Sequence, residues 1–194
     1  DLTKEDIIEF TSLIEKNSRL LMVLISDILD LSKIESNTME FNFYNVSLHR
    51  VLNEIGSAQR MNMHEGVELL LDLPGQEVTI YTDPARLNQV INNLVNNAIK
   101  FTSEGNIRIG YRPGPIASEC VRIFVEDTGT GMSKEVLGHI FDRFYKGDAF
   151  KQGTGLGLSI CRTIVKRFEG KIEVVSTPGK GTCFTITLPL KIEG

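Results

Sequence analysis

Residues 93–102 read Asn93-Leu94-Val95-Asn96-Asn97-Ala98-Ile99-Lys100-Phe101-Thr102. Leu94, Val95, Ala98 and Ile99 recur at helical spacing, while Asn93, Asn97 and Lys100 fall at i, i+4 and i+7. That places two amides and an ammonium on one helix face. An amide oxygen can coordinate a hard cation such as Mg2+, which needs few protein ligands when phosphates supply the others. Lys100 could neutralise a phosphate, and a merely solvated outer face would show the same residues. The helix itself has clear bounds. Asp83 is placed to cap it, Pro84 suits its first position, and Ser103-Glu104-Gly105 ends it, so it is expected over about 84–101.

Downstream, strands are expected at about 106–111 and 120–126, on either side of a Pro113-Gly114-Pro115 loop. Asp127-Thr128-Gly129-Thr130-Gly131 follows at once. A carboxylate at a strand end can accept a hydrogen bond from an exocyclic amine, and glycines let a flat ring lie against backbone. A short helix from Ser133 and an irregular stretch from about 142 to 155 come next. Gly153-Thr154-Gly155-Leu156-Gly157-Leu158 then opens a helix over 156–168, where exposed N–H groups and the positive dipole end suit phosphate. No strand directly precedes these glycines, which argues against a dinucleotide fingerprint. Strands near 171–176 and 182–188 flank a turn with Gly179-Lys180-Gly181-Thr182.

Upstream, residues 48–63 read as a helix behind Ser47, with strands at about 67–71 and 78–82. Met39, Phe41 and Phe43 alternate with polar residues and predict a further strand. Strands and helices without regular β-α-β alternation indicate an α+β sandwich, one mixed or antiparallel sheet covered by helices. Before it, Ile7, Phe10, Ile14, Asn17, Leu21, Leu24, Ile28 and Leu31 form a heptad stripe. Leu13, Leu20, Ile25 and Leu29 widen it towards a bundle, and Thr3 with Asp6 resembles a capping box. Asn17 at a core position would fix register.

Of the 194 residues 41% are hydrophobic, enough for a sizeable core, so a disordered chain is excluded. The net charge of −4 gives no basic excess for nucleic acid or an anionic membrane surface. Residues 1–45 hold nine acidic and four basic residues, leaving the remainder slightly positive, as would suit a polyphosphate ligand among others. Cys120, Cys161 and Cys183 form no Cys-x-x-Cys pair, so a zinc site or disulfide framework is not expected, and free thiols fit a reducing, cytosolic setting. No apolar run approaches the roughly 18 residues of a membrane span. The chain opens at Asp1 without an initiator Met and reads as a piece of something longer.

In this order and spacing the four clusters resemble the catalytic and ATP-binding domain of sensor histidine kinases. Asn93–Thr102 matches the N box, and Asp127–Gly131, Gly153–Leu158 and Gly179–Thr182 match the three glycine boxes. Ile140-Phe141-Asp142-Arg143-Phe144-Tyr145-Lys146 matches the F box. The resemblance covers about residues 39–190. The heptad helix resembles the second helix of that family's dimerisation and phosphotransfer hairpin, giving segments 1–36 and 39–194.

The resemblance implies a Bergerat-type α/β sandwich preceded by a long bundle-forming helix, with ATP and Mg2+ as cofactors. Asn93, Asn97, Lys100 and Lys146 would form the catalytic set, with Asn97 on the Mg2+. Asp127 would receive the adenine amino group, Gly129 and Gly131 would shape the base pocket, and Thr182 would lie near it. Lys146, Gly155 and Gly157 would contact phosphates, with Gly153 and Leu156 in the same box. Residues from about 132 to 155 would form a lid anchored by Phe141 and Phe144. Related gyrase, heat-shock and mismatch-repair ATPases carry a Glu in the place of Asn93, and a neutral amide cannot activate water. The phosphoryl group would therefore go to a His on the first hairpin helix, upstream of Asp1, and then to a response-regulator receiver domain. His49, His64 and His139 do not match that acceptor. The intact protein would be a homodimer through the hairpin, with no nucleic-acid partner and no direct membrane contact by this segment. A water-using ATPase and a nucleotide-switched binding module are the rival readings.

Overall fold

A computed structural model of the protein describes residues 3–114, 119–147 and 153–191. The first helix, α1 (Lys4–Glu35), begins at Thr3, whose hydroxyl accepts from the Asp6 N–H at 3.1 Å while the Asp6 carboxylate accepts from the Thr3 N–H at 2.8 Å. This reciprocal pair satisfies donors that the first turn leaves without partners. Asn37, in the left-handed region at φ 54°, turns the chain away after Ser36.

The strand expected at 39–43 is a correction. Met39 is buried and Phe41 and Phe43 are half-buried, as the alternation implies, yet the segment joins no ladder among the described residues. The Asn42 N–H donates to the Asp83 carboxylate at 2.8 Å, and the rings of Phe41 and Phe43 meet Phe168 edge-on at 5.9 and 6.0 Å. Alternation there records burial, not pairing. The ladder begins one residue later, where β1 (Tyr44–Ser47) runs antiparallel to β3 (Thr79–Thr82), with α2 (Leu48–Arg60) and β2 (Val67–Asp72) between them in sequence. Ser47 caps α2 as expected, accepting from the Arg50 N–H at 3.2 Å.

The remaining elements are α3 (Pro84–Phe101), β4 (Gly105–Pro113), β5 (Cys120–Asp127), α4 (Lys134–His139), α5 (Gly157–Arg167), β6 (Lys171–Thr177) and β7 (Gly181–Pro189). Five strands form one mixed sheet in the order β2-β4-β5-β7-β6, parallel between β2 and β4 and antiparallel elsewhere. Period-two alternation sends Ile107, Ile109, Val121, Ile123, Val125, Phe184, Ile186 and Leu188 to one face. There they meet Leu52 and Ile55 of α2, Val90, Ile91 and Leu94 of α3, and Ile160 and Ile164 of α5. Each large side chain so buried stabilises the fold by about 1.5–3 kcal/mol. On the other face Arg108 Nε donates to Glu126 at 2.9 Å, and the Phe124 ring faces the Arg108 and Arg112 guanidiniums at 5.5 and 5.4 Å. One face is covered by helices and the other is wet, which makes the two-layer α+β sandwich read from the sequence.

Helix α1 docks on this sandwich through its C-terminal half. Leu31 and Ile34 pack against the core, and the buried Asp30 accepts from Arg86 Nη1 at 3.1 Å and Gln89 Nε2 at 2.6 Å. Glu35 pairs with Arg143, and the Asn37 side chain with Arg167. Ile7, Phe10, Ile14, Leu21 and Ile28 of the heptad stay 50–66% exposed. Asn17 serves its own helix, donating to the Leu13 carbonyl at 2.8 Å. Among the described residues no helix is long and apolar enough to cross a membrane.

Candidate functional site

The sheet register sets one wall of the site. Asp127, the last residue of β5, stands opposite Thr182 near the start of β7. Helix α3 crosses above and presents Asn93, Asn97 and Lys100. All three line a cavity of about 530 Å3 together with Asp127, Gly131, Lys146, Gly153, Gly155, Gly157 and Thr182. The i, i+4, i+7 face of α3 is therefore a cavity wall and not a solvated surface.

Within this wall Asn97 Nδ2 donates to Asn93 Oδ1 at 3.2 Å. Its own Oδ1 is left available to a ligand, because an amide carries separate donor and acceptor ends. The Asn93 amide lies over Gly157, where a Cβ would overlap it. Gly157 thus lets the start of α5 approach α3. That start has no side-chain cap, so the first-turn N–H groups remain for a ligand.

Asp127 is 7% exposed, and its Oδ1 accepts the Gly129 N–H at 2.9 Å. Burial pushes its carboxyl above the usual range, partly offset by N–H groups of Gly129 and Thr182. Gly129 does not line the cavity. It closes the turn, and a side chain there would overlap the Phe101 carbonyl. Gly131, at φ 63°, lies so close to the Thr177 carbonyl that only glycine fits.

Two expectations on the far side change. The Leu156 side chain does not reach the cavity; it is fully buried in the core. Phe141 is half-buried, with the Arg162 guanidinium 5.7 Å above its ring, and does pack. The Phe144 ring does not: it is 64% exposed and lies outside the lining. Phe144 is held instead through its backbone. It adopts φ 62°, its N–H donates to the Gly155 carbonyl at 2.9 Å, and a Cβ on Gly155 would come within 2.7 Å of it. The anchor is a backbone clasp between the F box and the second glycine box. Part of the expected lid, 148–152, lies outside the described residues, as does Pro115.

The lining also contains residues that the sequence did not assign to the site. Leu20, Val23 and Asp27 come from α1, and Thr130, Met132, Val136, Ile140 and Phe184 supply apolar or neutral surface. The Asp27 carboxylate accepts from the Thr154 hydroxyl at 2.7 Å, and burial pushes its pKa up. Spacings of three and four through Leu20, Val23, Asp27, Leu31 and Ile34 were the available signal for a second face on α1.

The donor set suits a polyphosphate with a hard cation better than a protein-held metal. Among the described residues no three His, Cys, Asp or Glu side chains cluster to hold an ion. A single amide oxygen on Asn97, beside Lys100 and an uncapped helix start, fits Mg2+ whose other ligands are phosphate oxygens and water. None of the histidines lines the cavity. His49 Nδ1 meets the Tyr111 hydroxyl at 2.5 Å, His139 meets Asp142 at 2.8 Å, and His64 is exposed. Cys161, buried, and Cys183, half-buried, are free thiols.

Residues 82–192 match the family described as histidine kinase-, DNA gyrase B-, and HSP90-like ATPase. The chain is 38% identical over 181 residues to sensor histidine kinase RcsC of Escherichia coli (strain K12), covering 90% of this chain and 19% of that protein. It is 32% identical over 188 residues to sensor histidine kinase WalK of Bacillus subtilis (strain 168), covering 95% of this chain and 31% of that protein. The chain therefore spans a fifth to a third of the length of these relatives. Among solved structures, full-length ShkA in complex with AMPPNP superposes with a TM-score of 0.83 at 28% identity, over 100% of this chain and 41% of that one.

Proposed function

Since the chain belongs to the histidine kinase-, DNA gyrase B- and HSP90-like ATPases and carries the catalytic ATP-binding domain of the sensor kinases among them, we propose that its cavity binds Mg·ATP and delivers the γ-phosphoryl group to a histidine side chain. The observation that carries this reading is the convergence of Asn97, Lys100, Asp127 and Gly157, distant in sequence, on one cavity. Asp127 accepts the adenine amino group, with Gly131 and Thr182 beside it. Lys100, Lys146 and the N–H groups at Gly155 and Gly157 meet the phosphates. The Asn97 oxygen would hold Mg2+, which when bound neutralises the charge that spreads over the phosphate oxygens.

Asn93 contributes position and no base. Its oxygen already accepts from Asn97, and an amide cannot take a proton from water. A site that aligns phosphates without activating water suits transfer to a side chain, where positioning and electrostatics do most of the catalysis. No histidine of the described cavity lining can receive the group, so the acceptor belongs to another helix. We assign 1–36 as the second helix of a dimerisation hairpin and 39–194 as the catalytic domain. A response-regulator receiver would take the phosphoryl group next, and the cytoplasm is the compartment that fits.

The test is to incubate the full-length protein that carries this chain with γ-labelled Mg·ATP and examine the label. Label that is labile in acid and stable in alkali supports phosphohistidine. Steady release of phosphate with no labelled protein would replace this reading with a water-using ATPase.

A further inference from the structure

The third glycine turn holds a hydrogen-bond relay whose proton positions can be worked out. Ser176 of β6 stands opposite Thr182 of β7 in the sheet register. Its Oγ accepts from the Met132 N–H at 2.8 Å, lies 3.0 Å from the Gly181 carbonyl, and lies 3.0 Å from Thr182 Oγ1. A serine hydroxyl has one proton and two acceptor sites. The Met132 N–H occupies one acceptor site. The Gly181 carbonyl can only accept, so it takes the proton. The Thr182 contact must then be a donation from Thr182 into the remaining site. With its single proton spent on Ser176, the Thr182 oxygen has only lone pairs left to offer a ligand, and Asp127 in the same cavity lining supplies a second acceptor.

From this relay we infer that Ser176 is a positioning residue for base selectivity: it fixes Thr182 as an acceptor, so that the base end of the cavity takes a purine edge bearing an amino group and rejects one bearing a carbonyl. Ser176 itself does not line the cavity. It acts through Thr182, and through Met132 it ties the same relay to the root of the segment between the first two glycine boxes. The inference rests on the adenine-nucleotide reading of the site and adds what enforces the base preference. An oxo-purine would set its carbonyl oxygen against these acceptors where adenine places its amine, which costs more than a missing contact, and only its N1–H could recover part of the loss.

The test titrates the protein calorimetrically with ATP, with inosine triphosphate and with tripolyphosphate, as wild type, Ser176→Ala and Ser176→Thr. Inosine triphosphate differs at the edge in question, carrying a carbonyl where ATP has the amine and an N1–H where ATP has an acceptor nitrogen. In Ser176→Ala the Thr182 hydroxyl is free to rotate and donate, so the preference for ATP over inosine triphosphate should fall by about three- to tenfold, the range of one hydrogen bond. Tripolyphosphate affinity should not change, and Ser176→Thr, which keeps the hydroxyl, should keep the wild-type preference. An unchanged preference in Ser176→Ala, or an equal loss in Ser176→Thr, would overturn the role of Ser176 while leaving the site an adenine-nucleotide site. A wild type that binds both triphosphates alike would overturn the adenine reading and this inference with it.

Discussion

The Thr154 hydroxyl donates to the Asp27 carboxylate across 2.7 Å, joining α1 to the glycine loop of the cavity. Asp27 lies in the same lining as Lys100, Lys146, Gly153 and Gly155, which are assigned to phosphates. A carboxylate there opposes an incoming polyphosphate and holds the loop hydroxyl that neighbours it.

Asp27→Ala is therefore expected to tighten ATP binding by about three- to tenfold, the range of one net hydrogen bond with a modest charge contribution. Calorimetric titration of the variant checks it. Unchanged or weaker binding would show that α1 supports the loop instead of competing for it.

The same contact should depend on pH. Burial is the main cause that raises the Asp27 pKa, with Asp30 adding to it and the Thr154 hydroxyl opposing it. A raised carboxyl stabilises the docked helix fully below the ordinary value of 3.8 and loses that contribution as pH rises through the elevated one. Amide exchange of residues 153–160, corrected for intrinsic rates, should show protection relative to Asp27→Asn that declines from pH 4 to pH 7. A ratio flat across that range would contradict this. Lys100 and Lys146 are the cationic side chains that share this cavity lining with Asp27.

Asp127→Asn replaces an acceptor-only carboxylate by an amide whose donor end would face the adenine amine. ATP affinity should drop about 10- to 100-fold, as for a hydrogen bond to a charged group. Tripolyphosphate binding should stay within about twofold, since other residues are the ones proposed to meet the phosphates. Equal losses for both ligands would move Asp127 from base recognition to a structural role.

Gly157→Ala tests the approach of α5 to α3. The new methyl group would overlap the Asn93 amide, which predicts a loss of about 1–3 kcal/mol in unfolding free energy. The double variant with Asn93→Ala should recover most of it, as coupled neighbours do. Purely additive losses in chemical denaturation would place the strain elsewhere.

Much of this architecture was legible in the sequence, because local chemistry and burial agree there. Ser47, Asp83 and Ser133 cap the helices they precede, and the strand alternation in β4, β5 and β7 matches the covered face. The convergence of Asn97, Lys100, Asp127 and Gly157 on one cavity followed the motif order. Three features were hidden for physical reasons. Met39, Phe41 and Phe43 alternate because rings pack inwards, and packing needs no ladder. Phe144 reads as an apolar anchor, but a backbone at φ 62° holds it while its ring faces solvent. Asp27 and Asp30 lie off the heptad positions of α1, and nothing in their own stretch of sequence marks a role. Their partners, Thr154, Arg86 and Gln89, lie more than fifty residues away, and no local period reports them.

The role of Asn97 in holding Mg·ATP is read by calorimetric titration of the protein with ATP, in Mg2+ and in chelator, for wild type and Asn97→Ala. Wild type should bind ATP in a Mg-dependent way and Asn97→Ala should lose that binding, with a melting temperature close to wild type because Asn97 is only half-buried. Mg-dependent ATP binding of undiminished affinity in Asn97→Ala, or no ATP binding by wild type, would contradict that role.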